Sequence, residues 1–251
     1  MHNRVLTATA VLLSLASSAR VNAQPGRGAL QAAREAAPED LTGYWVSIVT
    51  EDWRFRMITP PKGDYASVPL NPEGRRVADT WDPAKDEAAG QQCKSYGAAA
   101  LMRVPGRLHI TWQDENTLKI ETDAGKQTRL FHFGGPPAPA GEQGWQGFSA
   151  AEWQMAAGRG RGGPAPKAGS LKVVTTHLKP GYLRKNGVPY SGNTVLTEYY
   201  TRTNESNGDS WLIITTIVDD PMYLAQPFLT SDNFKKEPNG SKFMPTACTS
   251  K

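Results

Sequence analysis

Arg107–Phe133 reads RLHITWQDENTLKIETDAGKQTRLFHF, and this stretch decides the fold. Its alternating apolar and polar residues predict three short strands. The segments Asp114-Glu115-Asn116 and Asp123-Ala124-Gly125 lie between them and supply turn residues, since Asn and Gly accept a left-handed backbone. The sequence therefore predicts a three-stranded meander.

The third strand of this meander has two possible registers. A three-residue turn after the second strand would point Leu130 and His132 inward. A turn of two or four residues would instead point Phe131 and Phe133 inward and His132 outward, because a slip of one residue reverses every side chain. Both registers stay open from the sequence.

Strand-like segments recur through the rest of the chain, and they are Leu41–Thr50, Trp53–Thr59, Leu171–His177, Thr194–Arg202, Trp211–Val218 and Ala225–Thr230. In Trp53–Thr59 the alternation places Arg54 and Arg56 together on one face, which we expect to be solvated, with a ligand-facing pair as the alternative. One short helix is predicted over Pro72–Thr80, with Asn71 as its N-cap. These patterns predict an all-β fold, an antiparallel barrel or a closed sandwich with long Gly/Pro loops.

The N-terminal region carries export features. Residues 1–23 combine a basic start, a short apolar run and a small residue at Ala23, which predicts a signal peptide. Residues 24–40 are rich in Ala, Gly and Pro and predict a flexible tether, so one β-barrel domain is expected over 41–251. The apolar run is too short to span a bilayer. We expect a periplasmic or secreted protein with no membrane span.

Charge and cysteine content restrict the partners. The formal net charge is +4, and the predicted signal peptide carries two of the arginines and no acidic residue. The basic residues form no concentrated patch, so nucleic acid is not an expected partner. Cys93 and Cys248 are the two cysteines of an exported chain, which predicts one disulfide.

Five sequence blocks carry a resemblance, and they are Trp145, Gly147, Ser149 and Trp153; Ser170–Thr176; Pro189-Tyr190-Ser191; Glu198 and Arg202; and Thr216–Tyr223. In these blocks the chain resembles a family of uncharacterised exported bacterial β-rich proteins. The resemblance implies a lipocalin-like β fold and export, and it implies no reaction. Gln154–Ala168 interrupts the family pattern, and Tyr190 stands where the family has a histidine.

The sequence shows no GxSxG, HExxH, glycine-rich phosphate loop or CxxC motif, so candidate site residues are dispersed. Polar residues on otherwise apolar strands are the candidates for catalysis, and they are His177, His132, Tyr190 and Glu198. Neighbouring residues are the candidates for ligand binding, and they are Trp112, Tyr223, Asp219 and Arg202. Asp219 is included because it continues the face of Trp211, Ile213, Thr215 and Ile217.

Three functions are compatible with these candidates. A cofactor-independent lyase, isomerase or hydrolase would use His, Tyr and Glu in acid–base roles on a small, partly apolar molecule. A non-catalytic carrier would use the same cavity, and a glycan-binding module would use exposed tryptophans. A metal is not predicted, since the histidines lack a short ligand spacing. Acid–base catalysis requires His177, Glu198 and a tyrosine within about 4–7 Å of one another around a cavity. If they are not, the alternative is a structural role, in which each buried polar group pairs with a neighbour.

Overall fold

The computed structural model describes residues 31–135, 138, 141, 143–155 and 168–250. Within them the strands are β1 (Gly43–Ile48), β2 (Arg107–Asp114), β3 (Thr117–Thr122), β4 (Thr128–Phe133), β5 (Phe148–Met155), β6 (Gly169–Thr176), β7 (Gly181–Arg184), β8 (Val188–Tyr190), β9 (Val195–Asn204), β10 (Ser210–Asp219) and β11 (Phe228–Glu237). The predicted signal peptide, the first part of the predicted tether and most of the interrupting segment lie outside the described residues.

Nine of the strands close into a barrel in the order β1-β11-β10-β9-β6-β5-β4-β3-β2, with β1 paired to β2. The prediction of an all-β barrel is confirmed. Among these nine strands only β4 and β5 pair in parallel, which departs from the antiparallel expectation. A parallel pair needs a long crossover connection, and residues 134–147 supply it. Strands β7 and β8 form a separate hairpin.

The turn between β3 and β4 decides the open register. Thr122 N donates to Gln127 O, so the turn holds four residues, and Ile120 pairs with Arg129. Phe131 therefore points into the barrel and His132 points outward, as in the second of the two predicted registers. Gly125 is required in this turn because its φ is +75° and the ring of Tyr96 packs where a Cβ would stand.

Inward side chains fill the barrel with one apolar core. Its largest fully buried members are Trp45, Phe131, Tyr200, Phe234, Ile110, Leu118, Ile120 and Leu171. A second cluster includes Leu183, Val188 and Tyr190 from the β7–β8 hairpin, together with Phe228 from the barrel. The site described below is lined by Tyr96 of the first cluster and by Leu183 of the second.

The inward face of β10 is opposite to the expected one. Leu212, Ile214 and Val218 are buried, whereas Asp219 is exposed and its neighbour Asp220 is buried. The expectation that Asp219 continues an inward face is therefore wrong. Both faces of this strand carry large apolar or β-branched residues, so alternation does not distinguish them.

The segment predicted as a second strand is a helical turn. Helix α2 (Trp53–Arg56) follows Asp52, whose left-handed backbone (φ +49°) breaks the extended run after β1. Arg54 is exposed and pairs with Asp64, but Arg56 is buried, so the expectation of two solvated arginines is wrong for Arg56. Four residues of alternating WRFR are too few to distinguish a strand from a helical turn.

Four other short α-helices lie in the described part of the chain, and they are α1 (Ala33–Ala36), α3 (Pro72–Ala78), α4 (Pro83–Ala88) and α5 (Ala98–Leu101). The predicted helix is confirmed as α3, where Asn71 Oδ1 accepts a hydrogen bond from Gly74 N at 2.8 Å. None of the helices in the described residues has the length and apolar character needed to cross a bilayer.

The last part of the predicted tether is packed on the barrel. Ala33 N donates to Asn116 Oδ1 at 2.9 Å, and Trp153 Nε1 donates to Ala33 O at 2.8 Å. Glu39 Oε2 accepts from Arg202 N at 2.9 Å. By its contacts, the compact unit of the chain begins at Ala32.

The predicted disulfide is confirmed. Cys93 and Cys248 are bonded, with their Cα atoms 5.1 Å apart and a sequence separation of 155. The bond holds the C-terminal segment against the β3–β4 turn, where Thr246 N donates to Asp123 O at 2.8 Å.

Loss of this disulfide is expected to destabilise the protein. The double variant Cys93→Ala/Cys248→Ala should lose about 4–5 kcal/mol of unfolding free energy, because a long loop is no longer closed in the unfolded chain. Urea denaturation of both proteins measures the difference. A reducing agent should shift the wild-type midpoint and leave the variant unchanged, and equal midpoints in the absence of reductant would contradict the expectation.

Candidate functional site

Glu198, a predicted catalytic residue, lies inside the barrel against Arg129. Arg129 Nη1 and Nη2 donate to its Oε1 and Oε2 at 2.8 and 2.6 Å, and both side chains are fully buried. Tyr200 Oη also donates to Oε1 at 3.0 Å. Arg129 Nη2 reaches Thr175 Oγ1 at 3.2 Å, which shares a hydrogen bond with Ser149 Oγ. Both carboxylate oxygens are thus engaged.

The electrostatics of this cluster favour a structural role. Burial by itself lowers the pKa of Arg129, but the adjacent Glu198 carboxylate outweighs it and raises that pKa. Burial, followed by the charge of Glu198, raises the pKa of Tyr200 well above its ordinary value. Arg129 therefore stays charged and Tyr200 stays protonated at neutral pH.

His177 does not continue the inward face of β6. Leu171, Val173 and Thr175 are buried as expected, but β6 ends at Thr176 and His177 takes a left-handed backbone with φ +58°. Its Nδ1 shares a hydrogen bond with Thr176 Oγ1 at 2.9 Å. The prediction of an inward His177 is therefore wrong, because the change of backbone turns the side chain to an outer depression.

His132 and Tyr190 lie in two further places. The outward His132 ring stacks on Phe148, with ring centroids 5.1 Å apart. Tyr190 is fully buried in the second cluster, and burial raises the pKa of its hydroxyl, which has no hydrogen-bond partner among the described residues. No hydrogen bond in the described chain joins Glu198, His177 and Tyr190.

Two of the predicted binding residues support the N-terminal segment. Trp112 packs against Phe133 and Trp153, with ring centroids 5.6 and 6.5 Å away. Arg202 Nη1 donates to Asp40 O at 2.6 Å. Arg202 on β9 therefore holds Asp40, and Trp112 packs beside Trp153, whose indole donates to Ala33 O.

The remaining two predicted binding residues are Asp219, the last residue of β10, and Tyr223, which lies beyond it. Tyr223 O accepts from Asn71 N at 3.0 Å, which fixes the start of α3. Asp219 is exposed, and the organising carboxylate is that of its neighbour Asp220, which accepts from Ser191 N at 2.6 Å and Ser191 Oγ at 2.9 Å.

The feature that sequence reasoning did not predict is a cleft of about 270 Å³ beside α2. Its buried cations are Arg56, Arg103 and Arg184, whose side chains are 1%, 8% and 2% exposed. Apolar and weakly polar side chains make up most of the remaining lining, and none of the described lining residues is acidic. We call this feature the arginine cleft.

Arg56 and Arg103 each meet one carboxylate behind the cleft. Arg56 Nη1 lies 3.1 Å from Asp232 Oδ1, an ion-pair distance, although the alignment is too poor for a hydrogen bond. Arg56 Nε donates to Arg103 O at 3.0 Å. Arg103 Nη2 donates to Asp52 Oδ2 at 2.8 Å. Arg56 and Arg103 therefore each have a carboxylate in close contact.

Arg184 is the least satisfied of the three. Its Nη1 donates to Ala66 O at 2.6 Å, and its guanidinium lies 4.2 Å from the ring centroid of Phe55. Nε and Nη2 are buried and have no hydrogen-bond acceptor among the described residues. Nη2 is 3.9 Å from Asp52 Oδ2, which is too far for a hydrogen bond. Nε and Nη2 form one edge of the guanidinium, the kind of edge that pairs with both oxygens of a carboxylate.

The pKa shifts of these groups have burial as their largest cause. Burial, and then the charge of Arg103, lower the pKa of Arg184 to about 10. Burial also lowers the pKa of Arg56, although Asp232 opposes it. Burial raises the pKa of Asp232 to about 6, against the charges of Arg56 and Arg103. An additional anion would be favourable here.

One wall of the cleft is positioned by the disulfide. A 3₁₀ turn over Lys94–Tyr96 follows Cys93, and Tyr96 lines the cleft. Tyr96 Oη shares a hydrogen bond with Thr249 Oγ1 at 3.2 Å. The C-terminal segment and its disulfide therefore hold this wall.

Sequence reasoning missed the cleft because its arginines are far apart along the chain. Arg103 follows Leu101-Met102 and precedes Val104, and Arg184 follows Leu183. An isolated arginine among apolar residues is the signal that could have identified Arg103, since a buried charge needs a partner. Arg184 is followed by Lys185 and carries no such signal.

No protein-family model, curated protein or solved structure matches this chain. The candidate site therefore depends on its own geometry. The resemblance to exported bacterial proteins stays a prediction.

Breaking the Arg129–Glu198 pair should destabilise the fold. Glu198→Gln leaves a buried guanidinium without its counter-charge, which costs about 3–5 kcal/mol of unfolding free energy. Chemical denaturation measures this loss. The double variant Arg129→Met/Glu198→Met removes both charges and should recover most of it, and an equally unstable double variant would contradict the electrostatic explanation.

Asp232 is expected to make stability depend on pH. Its pKa of about 6 lies above the ordinary value of 3.8, so the folded state holds this proton more tightly than the unfolded state. The stabilisation is complete below pH 3.8 and is lost as the pH rises through 6. The unfolding free energy of wild type minus that of Asp232→Asn should fall by about 2 kcal/mol between pH 4 and 7. Urea titrations at several pH values test this, and a difference that rises with pH would contradict it.

Proposed function

We propose that the protein is an exported, non-catalytic β-barrel that binds a small organic carboxylate in the arginine cleft. The observation that carries the proposal is the buried edge of Arg184, whose Nε and Nη2 have no acceptor among the described residues. Leaving such groups unpaired costs about 1–3 kcal/mol each, and a ligand carboxylate would remove that cost.

The arrangement of charge supports an anionic ligand. Asp232 is paired with Arg56 and Asp52 with Arg103, which leaves Arg184 without a carboxylate in hydrogen-bonding reach. The same carboxylates do not line the cleft, whereas the three arginines do. A ligand in the cleft is therefore surrounded by cations and by no acidic side chain of the described lining.

The size and lining of the cleft support an organic ligand. Its volume of about 270 Å³ is near the lower end of the range for small-molecule sites. Phe55, Val104 and Leu183 give it apolar walls next to the charged groups. Such a combination suits a compact molecule with one carboxylate and an apolar body.

The two other functions have less support. A general base needs a free lone pair that reaches the substrate, and both oxygens of Glu198 already accept hydrogen bonds. A glycan-binding surface would need several exposed aromatic rings, and Trp53 is the one tryptophan among the large exposed apolar residues of the described chain. The disulfide is the kind of bond that persists in an oxidising compartment, which supports the proposal of export.

Isothermal titration with benzoate and with benzamide, its neutral counterpart, tests the proposal. Wild-type protein should bind benzoate at least tenfold more tightly than benzamide, because the charged ligand forms charge-assisted hydrogen bonds. Arg184→Met should reduce benzoate affinity about ten- to a hundredfold and leave benzamide affinity unchanged.

Arg76→Met is the matched control. Arg76 is exposed and pairs with Glu73 on α3, so its loss removes the same charge from the protein without changing the cleft. Benzoate affinity should be the same in this variant as in wild type. Absence of benzoate binding at millimolar concentrations, or equal losses in the two variants, would refute the proposal.

A further inference from the structure

Three large apolar side chains are exposed on and just after α2. Trp53, Met57 and Ile58 are 66%, 59% and 65% exposed. Met57 N donates to Trp53 O at 2.8 Å, so these two residues lie one helical turn apart on the same side. A single exposed apolar side chain is ordinary, but three within six residues form a patch. We call these three residues the apolar lip.

The apolar lip is continuous with the arginine cleft. Met57 and Ile58 are among the lining residues of the cleft, and so are Phe55, Val104 and Pro105 deeper inside. Apolar surface therefore extends from the buried arginines to the solvent. A ligand held at Arg184 has a route outward along this surface.

The lip and the arginines belong to one anchored segment. Arg56, next to Met57 in sequence, is held inside the protein by Asp232 and by Ser47 Oγ. Phe55 lies under the guanidinium of Arg184. Because Phe55 and Arg56 are anchored, the neighbouring residues Met57 and Ile58 stay close to the charged end of the cleft. This arrangement suits a ligand with a charged head group and an apolar chain.

We propose that the ligand of the arginine cleft is a medium-chain fatty carboxylate, with its head group at Arg184 and its chain on the apolar lip. This inference depends on the proposed function and names the class of its ligand. Charge complementarity selects the carboxylate, and the exposed lip selects the chain, since each methylene that leaves water contributes favourably to binding. A compact carboxylate with no chain would leave the lip uncovered.

Titration with butanoate, hexanoate, octanoate and decanoate below their micellar concentrations tests the inference. Affinity for the wild-type protein should rise about two- to fourfold for each added methylene. The double variant Met57→Ser/Ile58→Ser should lose most of the gain in affinity with chain length. Arg184→Met should bind every member more weakly while keeping that gain.

Met155→Ser is the matched control, because Met155 is 56% exposed at the end of β5 and does not line the cleft. It should leave both affinity and chain-length dependence unchanged. A flat chain-length dependence in wild type would overturn this inference and leave the proposed function intact if benzoate binds. Failure of benzoate and of all four carboxylates would refute the proposed function itself. Wild-type protein and Arg184→Met can also be sedimented with anionic phospholipid vesicles. If both proteins bind the vesicles equally, a membrane surface covers the lip instead, which would also overturn the inference.

Discussion

The architecture depends on how the barrel pairs the charges that its strands point inward. Because side chains alternate along a strand, Glu198 on β9 and Asp232 on β11 share the interior with apolar residues. A buried carboxylate without a partner costs several kcal/mol, so each requires a cation. Arg129 from β4 meets Glu198, and Arg56 from α2 meets Asp232. The cation that pairs with Glu198 therefore comes from the barrel sheet, and the cation that pairs with Asp232 comes from a helix outside the sheet.

These two pairs have different consequences. Arg129 and Glu198 join through two hydrogen bonds, and the hydroxyl groups of Tyr200 and Thr175 extend the network, although Arg129 Nε has no acceptor among the described residues. Arg56 and Asp232 approach to 3.1 Å without good hydrogen-bond alignment, and Arg56 also lines the arginine cleft. Both carboxylate oxygens of Glu198 are engaged inside the core, whereas the poorly aligned Arg56 pair lies beside the cleft and retains interaction energy that a ligand could use. The same requirement for pairing therefore produces a structural element and a candidate site.

The sequence predicts the strands better than it predicts their partners. Alternation identified the inward faces of the β6 and β9 strands, but it failed on β10, where Trp211 and Leu212 are both apolar. The face of His132 depended on the length of one turn, which composition does not determine. The pairing of Arg129 with Glu198 spans 69 positions and follows only from barrel closure. The site was missed for this reason, since its cations come from separate segments.

The long disulfide loop offsets the loss of stability that the arginine cleft causes. Its walls come from α2, from the segment after Cys93 and from the β7–β8 hairpin, and its cations repel one another and are poorly solvated. Such a site lowers the stability of the free protein, as functional sites commonly do. The Cys93–Cys248 bond offsets this by restricting the unfolded chain and by holding Tyr96 against the C-terminal segment. A bound carboxylate would then stabilise the fold further, because it binds the native state alone.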